Sequence, residues 1–211
     1  MEQREKEKNE AGEETRRTSG QEEQYMSSRA VQYKSSEAAR NTSEKSAGES
    51  GIVTLREVGE TERAALWNVL QKYLHELSAY YPLTMDGDGN YPYPYFDLWF
   101  REPERTALWI GLGRTAAGFA LLNRWSCLDA PIDHAMAEFT IFPRYRRGGL
   151  GREAVRRIFA RYPGRWELKY AKGNQAAKAF WTAVAAAYSP AVSLYHETET
   201  VLSFPVPGLV S

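Results

Sequence analysis

The stretch Ile141-Phe142-Pro143-Arg144-Tyr145-Arg146-Arg147-Gly148-Gly149-Leu150-Gly151 decides how this chain folds and where its chemistry lies. Ala135–Phe142 is an apolar run of strand length, and Pro143 to Gly149 carries turn signals. Leu150, Ala154, Val155, Ile158 and Phe159 then recur at helical spacing until Pro163-Gly164 stops the pattern. A strand therefore runs through a glycine turn into a helix. The first turn of a helix has unpaired backbone N–H groups and about half a positive charge from the aligned peptide dipoles. Glycines remove the Cβ atoms that would hold a phosphate away from those groups. Arg146, Arg147 and Arg152 add forked donors suited to phosphate oxygens. The stretch predicts a site for a multiply charged anion. A tight turn followed by a solvated helix face is the plainer reading, and it stays open at this point. The pattern G-x-x-x-x-G-K-[ST] does not occur here, and neither does G-x-G-x-x-G.

Outward from this segment, the chain alternates strands and helices. Ile52–Val58 reads as a strand, and Thr61 is placed to cap a helix with Glu62 in its first turn. Leu66, Val69, Leu70, Tyr73, Leu74 and Leu77 form one apolar stripe of that helix, which ends near Tyr80-Tyr81-Pro82. Pro82 to Tyr95, with Asp86-Gly87-Asp88-Gly89-Asn90, is a loop, and a short helix is expected over Phe96–Phe100. Thr106–Leu112 and Gly118–Arg124 read as a hairpin around Gly113-Arg114. After the central helix come a strand at Trp166–Tyr170 and a last helix capped by Asn174, with Ala177, Phe180, Trp181, Val184 and Tyr188 as its stripe. Val192–His196 and Val201–Phe204 close the chain as strands. The order predicts an α/β fold of one layered core, with a mixed sheet flanked by helices.

The 211 residues carry 27 Lys+Arg and 27 Asp+Glu, a formal net charge of +0, but the two parts of the chain differ. Residues 1–50 hold 9 basic and 11 acidic residues and few large apolar side chains, so burial cannot offset the entropy of ordering them. They are expected to form a disordered low-complexity tail, with the folded domain over 51–211. That domain holds 18 basic and 16 acidic residues, too balanced for the basic face that tracks nucleic acid. A single cysteine, Cys127, excludes an intramolecular disulfide, and His75, His134 and His196 lack ligand-like spacing, so no metal is expected. No apolar run approaches the ~20 residues of a membrane span, and the N-terminus has no apolar signal region. A cytoplasmic protein without membrane attachment is the expectation.

The segment Arg146-Arg147-Gly148-Gly149-Leu150-Gly151 resembles the R/Q-x-x-G-x-G/A acyl-CoA signature of the GNAT N-acetyltransferase superfamily, with the aliphatic Ile141 five positions before Arg146. Asn174-x-x-Ala177-x-x-Phe180-Trp181 resembles that family's second motif, and Ile52 to Phe204 follows its element order. The resemblance implies a mostly antiparallel sheet whose central strands, Met136–Phe142 and Trp166–Tyr170, splay apart around the pantetheine arm of acetyl-CoA. It implies that backbone at Ile141 pairs with pantetheine amides, and that Arg146, Arg147, Gly148, Gly149, Leu150, Gly151 and Arg152 hold the pyrophosphate. Asn174 would reach the cofactor from the other side, or serve only as a helix cap.

The activity so implied is acetyl transfer from acetyl-CoA to a primary amine of a small molecule or a peptide. An alkylamine of pKa near 10.4 is only about one part in a thousand neutral at pH 7, so either a base accepts its proton or the enzyme selects the rare neutral form. Glu138 is the candidate, a carboxylate in an otherwise apolar strand, and an ion pair with Lys169 or an arginine is the alternative reading. A backbone N–H near Ile141 is placed to stabilise an oxyanion. Tyr73, His75, Tyr81 and the 86–95 loop are candidates to shape the acceptor pocket. Trp181 stands where the family often has a tyrosine that protonates the departing thiolate, so either Tyr170, Tyr188 or water does that task or the thiolate departs without an acid. It also keeps open a catalytically inactive acyl-CoA-binding regulatory module. Nucleic-acid binding by Arg144, Arg146, Arg147, Arg152, Arg156, Arg157 and Arg161 is a third, disfavoured class. The sequence leaves a homodimer open. Replacing both Gly149 and Gly151 with Val is expected to abolish cofactor binding and spare the fold.

Overall fold

The computed structural model describes residues 51–208. The expectations for residues 1–50 lie outside the described residues. Seven strands form one sheet: β1 (Val53–Glu57), β2 (Thr106–Leu112), β3 (Thr115–Asn123), β4 (His134–Ile141), β5 (Gly164–Ala171), β6 (Ala191–Tyr195) and β7 (Glu199–Val206). Their order across the sheet is β1-β2-β3-β4-β5-β7-β6, and every neighbouring pair is antiparallel except β4 and β5. Three helices cover it: α1 (Arg63–Leu77), α2 (Leu150–Arg161) and α3 (Gln175–Ala185). This is the expected mixed, mostly antiparallel sheet flanked by helices. No helix among the described residues is long and apolar enough to cross a membrane.

Strands β2 and β3 are buried on both faces, which is why they read as continuous apolar runs rather than alternating ones. Leu66, Leu70 and Leu74 of α1 pack with Trp109, Phe119 and Leu121 on one face. The five apolar positions expected on α2 are all buried on the other face, with Trp166, Leu168, Trp181 and Phe204. One local expectation fails at the start of α1. Thr61 makes no capping bond; a 3-10 turn, Glu60–Glu62, precedes the helix instead. Glu62 takes over the capping role by accepting from the Gly59 amide at 3.3 Å, and Arg56 holds its carboxylate at 2.5 and 2.8 Å.

Two irregularities in β4 shape the cleft side of the sheet. The parallel ladder with β5 pairs only His134, Ala135 and Met136, with Trp166, Glu167 and Leu168. Beyond Met136↔Leu168 the two strands splay apart. On the other side, Leu122 pairs with Met136 and Leu121 with Glu138, so Ala137 is the extra residue of a bulge. A bulge re-aims the side chain that follows it. That side chain is Glu138, at the point where β4 leaves β5.

Candidate active site

The splayed strands open a cleft of about 920 Å³, walled by Ile141 of β4, by the turn that leads into α2, by the start of α3 and by α1. The turn has an unusual backbone. Arg147 and Gly149 both have positive φ, +68° and +84°, a left-handed conformation that glycine adopts freely and arginine only at a cost. A Cβ at Gly148 or Gly149 would meet nothing within 4 Å. The amide of Tyr145 goes to Phe142 O at 2.8 Å and that of Arg146 to Pro143 O at 3.3 Å, and intrahelical bonding resumes with Glu153 N–H on Gly149 O. Between these, the amides from Arg147 to Arg152 donate to no acceptor among the described residues. Unpaired N–H groups at a helix start, on the wall of an open cleft, form a positive cradle.

The arginines divide by what they touch. Arg156 and Arg157 are taken by Glu153 at 2.6–2.7 Å, and Arg161 by Glu57 at 2.5 Å. These pairs cancel much of the basic stripe that a nucleic-acid reading needs. Arg147 and Arg152 line the cleft and have no carboxylate partner among the described residues. Arg146 does something the sequence did not suggest: its Nε donates to Ile141 O at 2.6 Å, and its terminal nitrogen bonds Glu76 of α1 at 2.7 Å. Of the other residues singled out in the sequence, Gly151 lies on the cleft wall, and Leu150 turns into the core at 7% exposure. Asn174 caps α3, its Oδ1 accepting from Ala177 N at 2.9 Å, and also lines the cleft.

A second cavity of about 320 Å³ adjoins the cleft, and Tyr73, Leu77, Phe139, Asn174, Ala177 and Trp181 border both. Glu138 lies in this second cavity, beneath Tyr93 of the 82–95 loop, whose hydroxyl donates to Glu138 Oε1 at 3.2 Å. Burial pushes the carboxyl up to about 7, against the opposing pull of hydrogen bonds from Tyr73 and Tyr93 and of the Lys169 charge. Burial also raises the phenols of Tyr73 and Tyr93, and the nearby Glu138 raises them further. The ion-pair reading of Glu138 fails. Lys169 bonds both oxygens of Glu199 at 2.9 Å, and no basic side chain among the described residues pairs with Glu138. Glu199 also accepts from the Tyr81 hydroxyl at 2.8 Å.

Some residues named from the sequence are elsewhere. His75 bonds the Tyr91 hydroxyl at 3.0 Å and borders neither cavity, and the 86–90 turn stands apart from both. Tyr188 stacks on Phe204 within the core, whereas Tyr170 lines the second cavity. Trp181 is 7% exposed, packs edge-on against Phe139 and Phe180, and lines both cavities. Glu76, Phe139 and Glu199 went unread. Glu199, in Glu197-Thr198-Glu199-Thr200, carried no signal beyond that of a polar strand end.

The model of the Acetyltransferase (GNAT) family matches residues 70–196. This chain belongs to the GNAT acetyltransferase family. Solved GNAT-type structures share its fold. An acetyltransferase from Thermus thermophilus is 20% identical, with a TM-score of 0.53 over 72% of this chain and 96% of that one. A GNAT-family acetyltransferase from Streptococcus pneumoniae is 18% identical, with a TM-score of 0.51 over 74% and 100%. The ribosomal-protein-S18-alanine N-acetyltransferase of Escherichia coli is 12% identical, with a TM-score of 0.50 over 76% and 97%. Comparison with curated proteins gives no match. The GNAT family match spans the splayed strands, the glycine turn, Glu138 and Asn174.

Proposed function

We propose that this GNAT chain transfers an acetyl group from acetyl-CoA to a primary amine of a small molecule or peptide. The observation that carries the reading is the wall shared by the two cavities, with unpaired amides in the first and a re-aimed carboxylate in the second. The residues present fit a diphosphate: the turn is open above Gly148 and Gly149, and Arg147 and Arg152 stand beside it without carboxylate partners among the described residues. Arg147, Gly149, Leu150, Gly151 and Arg152 would hold it chiefly through backbone N–H groups. Arg146 would order the turn by clasping Ile141, and Gly148 would leave it uncovered. The β4 edge beyond Met136, which has no ladder partner on β5, would receive the pantetheine arm near Ile141. Asn174 would both cap α3 and face the cofactor.

Acetyl-CoA supplies the activated acetyl thioester. Glu138 takes the proton of the acceptor ammonium; with a pKa of about 7 it is a far better match to neutral pH than an ordinary glutamate. Tyr73 and Tyr93 steady the carboxylate before it accepts that proton. Trp181 offers an N–H but no acid proton for the departing CoA thiolate; of the tyrosines that line the cavities (Tyr73, Tyr80, Tyr81, Tyr93 and Tyr170), Tyr170 is one that the sequence put forward for that task. The test is thiol release from acetyl-CoA against a panel of amines. Amine-dependent release supports the transferase. Cofactor-dependent thermal stabilisation with no release from any amine would instead support an acyl-CoA-binding regulatory module, the reading that Trp181 favours.

A further inference from the structure

The second cavity has a charge arrangement that bears on what the acceptor is. Two carboxylates, Glu138 and Glu199, line it, and the Tyr81 phenol feels both. Two carboxylates in one small cavity would ordinarily suit a diamine, with one ammonium for each. Here Lys169 already occupies the second position. Its Nζ lies 2.9 Å from both oxygens of Glu199, whose side chain is only 8% exposed, and packs 5.2 Å from the ring centre of Tyr195. With Glu199 neutralised, the cavity has one uncompensated negative charge, on Glu138. Around it the walls are Leu74, Leu77, Leu83 and Pro92, with the faces of Tyr73 and Tyr93.

Building on the acyl-transfer reading, we propose that the acceptor is a compact primary monoamine with an apolar or aromatic body, and that Lys169 is the specificity residue that excludes a second ammonium. A diamine would set its far ammonium against Lys169, with Glu199 already paired. An amino acid would bring a carboxylate toward Glu138 and Glu199. A peptide would lay unpaired amides against Leu83 and Pro92, and unpaired buried polar groups are costly. A monoamine has none of these faults, and its ring or alkyl body covers the apolar wall.

The experiment follows acetyl-CoA-dependent thiol release by the full chain with 2-phenylethylamine, 1,4-diaminobutane, phenylalanine and an alanine tripeptide. The expected result is a kcat/KM for 2-phenylethylamine at least ~10-fold above the other three, the scale on which an unpaired charge is rejected. In Lys169→Met, Glu199 is unmasked, and the ratio of diamine to monoamine kcat/KM should rise ~10-fold or more. Lys169→Arg should keep the wild-type ratio, and Lys169→Met combined with Glu199→Gln should lose the diamine gain. A wild type that prefers the diamine, the amino acid or the tripeptide overturns the inference and leaves the transferase reading standing. So does an unmoved ratio in a folded Lys169→Met. Thiol release with none of the four, nor with any amine of a wider panel, overturns both. The wild-type panel decides the question even where Lys169→Met does not fold.

Discussion

The hydroxyl of Tyr93 donates to Glu138 Oε1 at 3.2 Å, which joins the 82–95 loop to the one acidic side chain of β4. The bond stabilises the charged carboxylate, whereas burial favours the protonated form, and burial prevails because the acid sits at about 7. If Glu138 is the base, kcat/KM should fall on the acid side with a midpoint near pH 7. Glu138→Gln should lower kcat by about 10²–10⁴-fold and remove that limb. Tyr93→Phe withdraws a donor from the carboxylate, so its limb should move to higher pH. A pH–rate profile of the three proteins checks all of this.

The same displacement has a consequence for stability, with a definite sign. The folded pKa of Glu138 lies above its unfolded value near 4.5, so between them the folded state binds more protons. The contribution of Glu138 to stability should therefore fall as pH rises from about 4.5 to about 7 and level off beyond. Glu138→Gln has no charge to bury. Its Tm should match wild type near pH 4.5 and exceed it at pH 8 by several degrees, at about 2–4 °C per kcal/mol for a chain of this size. Thermal scans at the two pH values make the comparison. An equal Tm difference at both would remove burial as the cause of the shift.

The glycine turn makes a prediction about two neighbours. Gly149 has φ +84° and is the N-cap of α2, while Gly148 is outside the left-handed region and has open space around it. Gly149→Ala should cost about 1–2 kcal/mol in stability and weaken acetyl-CoA binding by ~10-fold or more, as the helix start tilts its amides. Gly148→Ala should leave Tm within about 1 °C and reduce affinity less. A Cβ at Gly151 would stand 3.2 Å from Phe180 and 3.4 Å from Ile141, so the double Val variant expected from sequence to spare the fold would press on two walls of the cleft. Calorimetric titration with acetyl-CoA, beside thermal scans, separates these effects.

Much of this was legible in the sequence, for physical reasons. The five buried positions of α2 follow from helical spacing alone, and Asn174 bonds Ala177 as a cap should. The hairpin at Gly113-Arg114 and the short helix at Phe96–Phe100 fall where turn chemistry puts them. Glu138 stood out because a carboxylate in an apolar strand needs a reason. What escaped were side-chain pairings between segments distant in the chain. Glu199 meets Lys169 only because β7 returns beside β5, and Glu76 meets Arg146 across 70 residues of chain. Thr61 has the right chemistry for a cap, yet Arg56 and Glu62 form a bidentate pair that begins the turn two residues earlier.

The clasp of Arg146 on Ile141 leads to another prediction. Nε holds Ile141 O at 2.6 Å while Glu76 holds the same guanidinium from α1. Both side chains of the ion pair are more than a third exposed, 40% for Arg146 and 46% for Glu76, so solvent screens it. Glu76→Gln should cost less than about 1 kcal/mol. Arg146→Ala removes the donor to Ile141 and frees the turn, so the loss of acetyl-CoA affinity should be several-fold larger than for Glu76→Gln. Arg146→Lys should recover little of it, because an ammonium cannot reproduce the forked geometry. Equal affinities in Arg146→Ala and Glu76→Gln would show that the ion pair, not the clasp, orders the turn.

Asn174 can be assigned by a pair of substitutions that divide its two tasks. Its Oδ1 caps α3 by accepting from Ala177 N at 2.9 Å, and its side chain also borders both cavities. Asn174→Ala loses the cap and should cost about 1 kcal/mol, with weaker acetyl-CoA binding. Asn174→Asp keeps an acceptor for Ala177 N and adds a negative charge at a helix start, where it is favoured, so stability should return to the wild-type level. The amide N–H groups are gone from that variant, and its carboxylate would face an anionic cofactor. Affinity should therefore remain low while Tm recovers. If Asp restores both, Asn174 is a cap alone and the cofactor contact assigned to it is absent; if it restores stability only, the residue serves the helix and the cleft together.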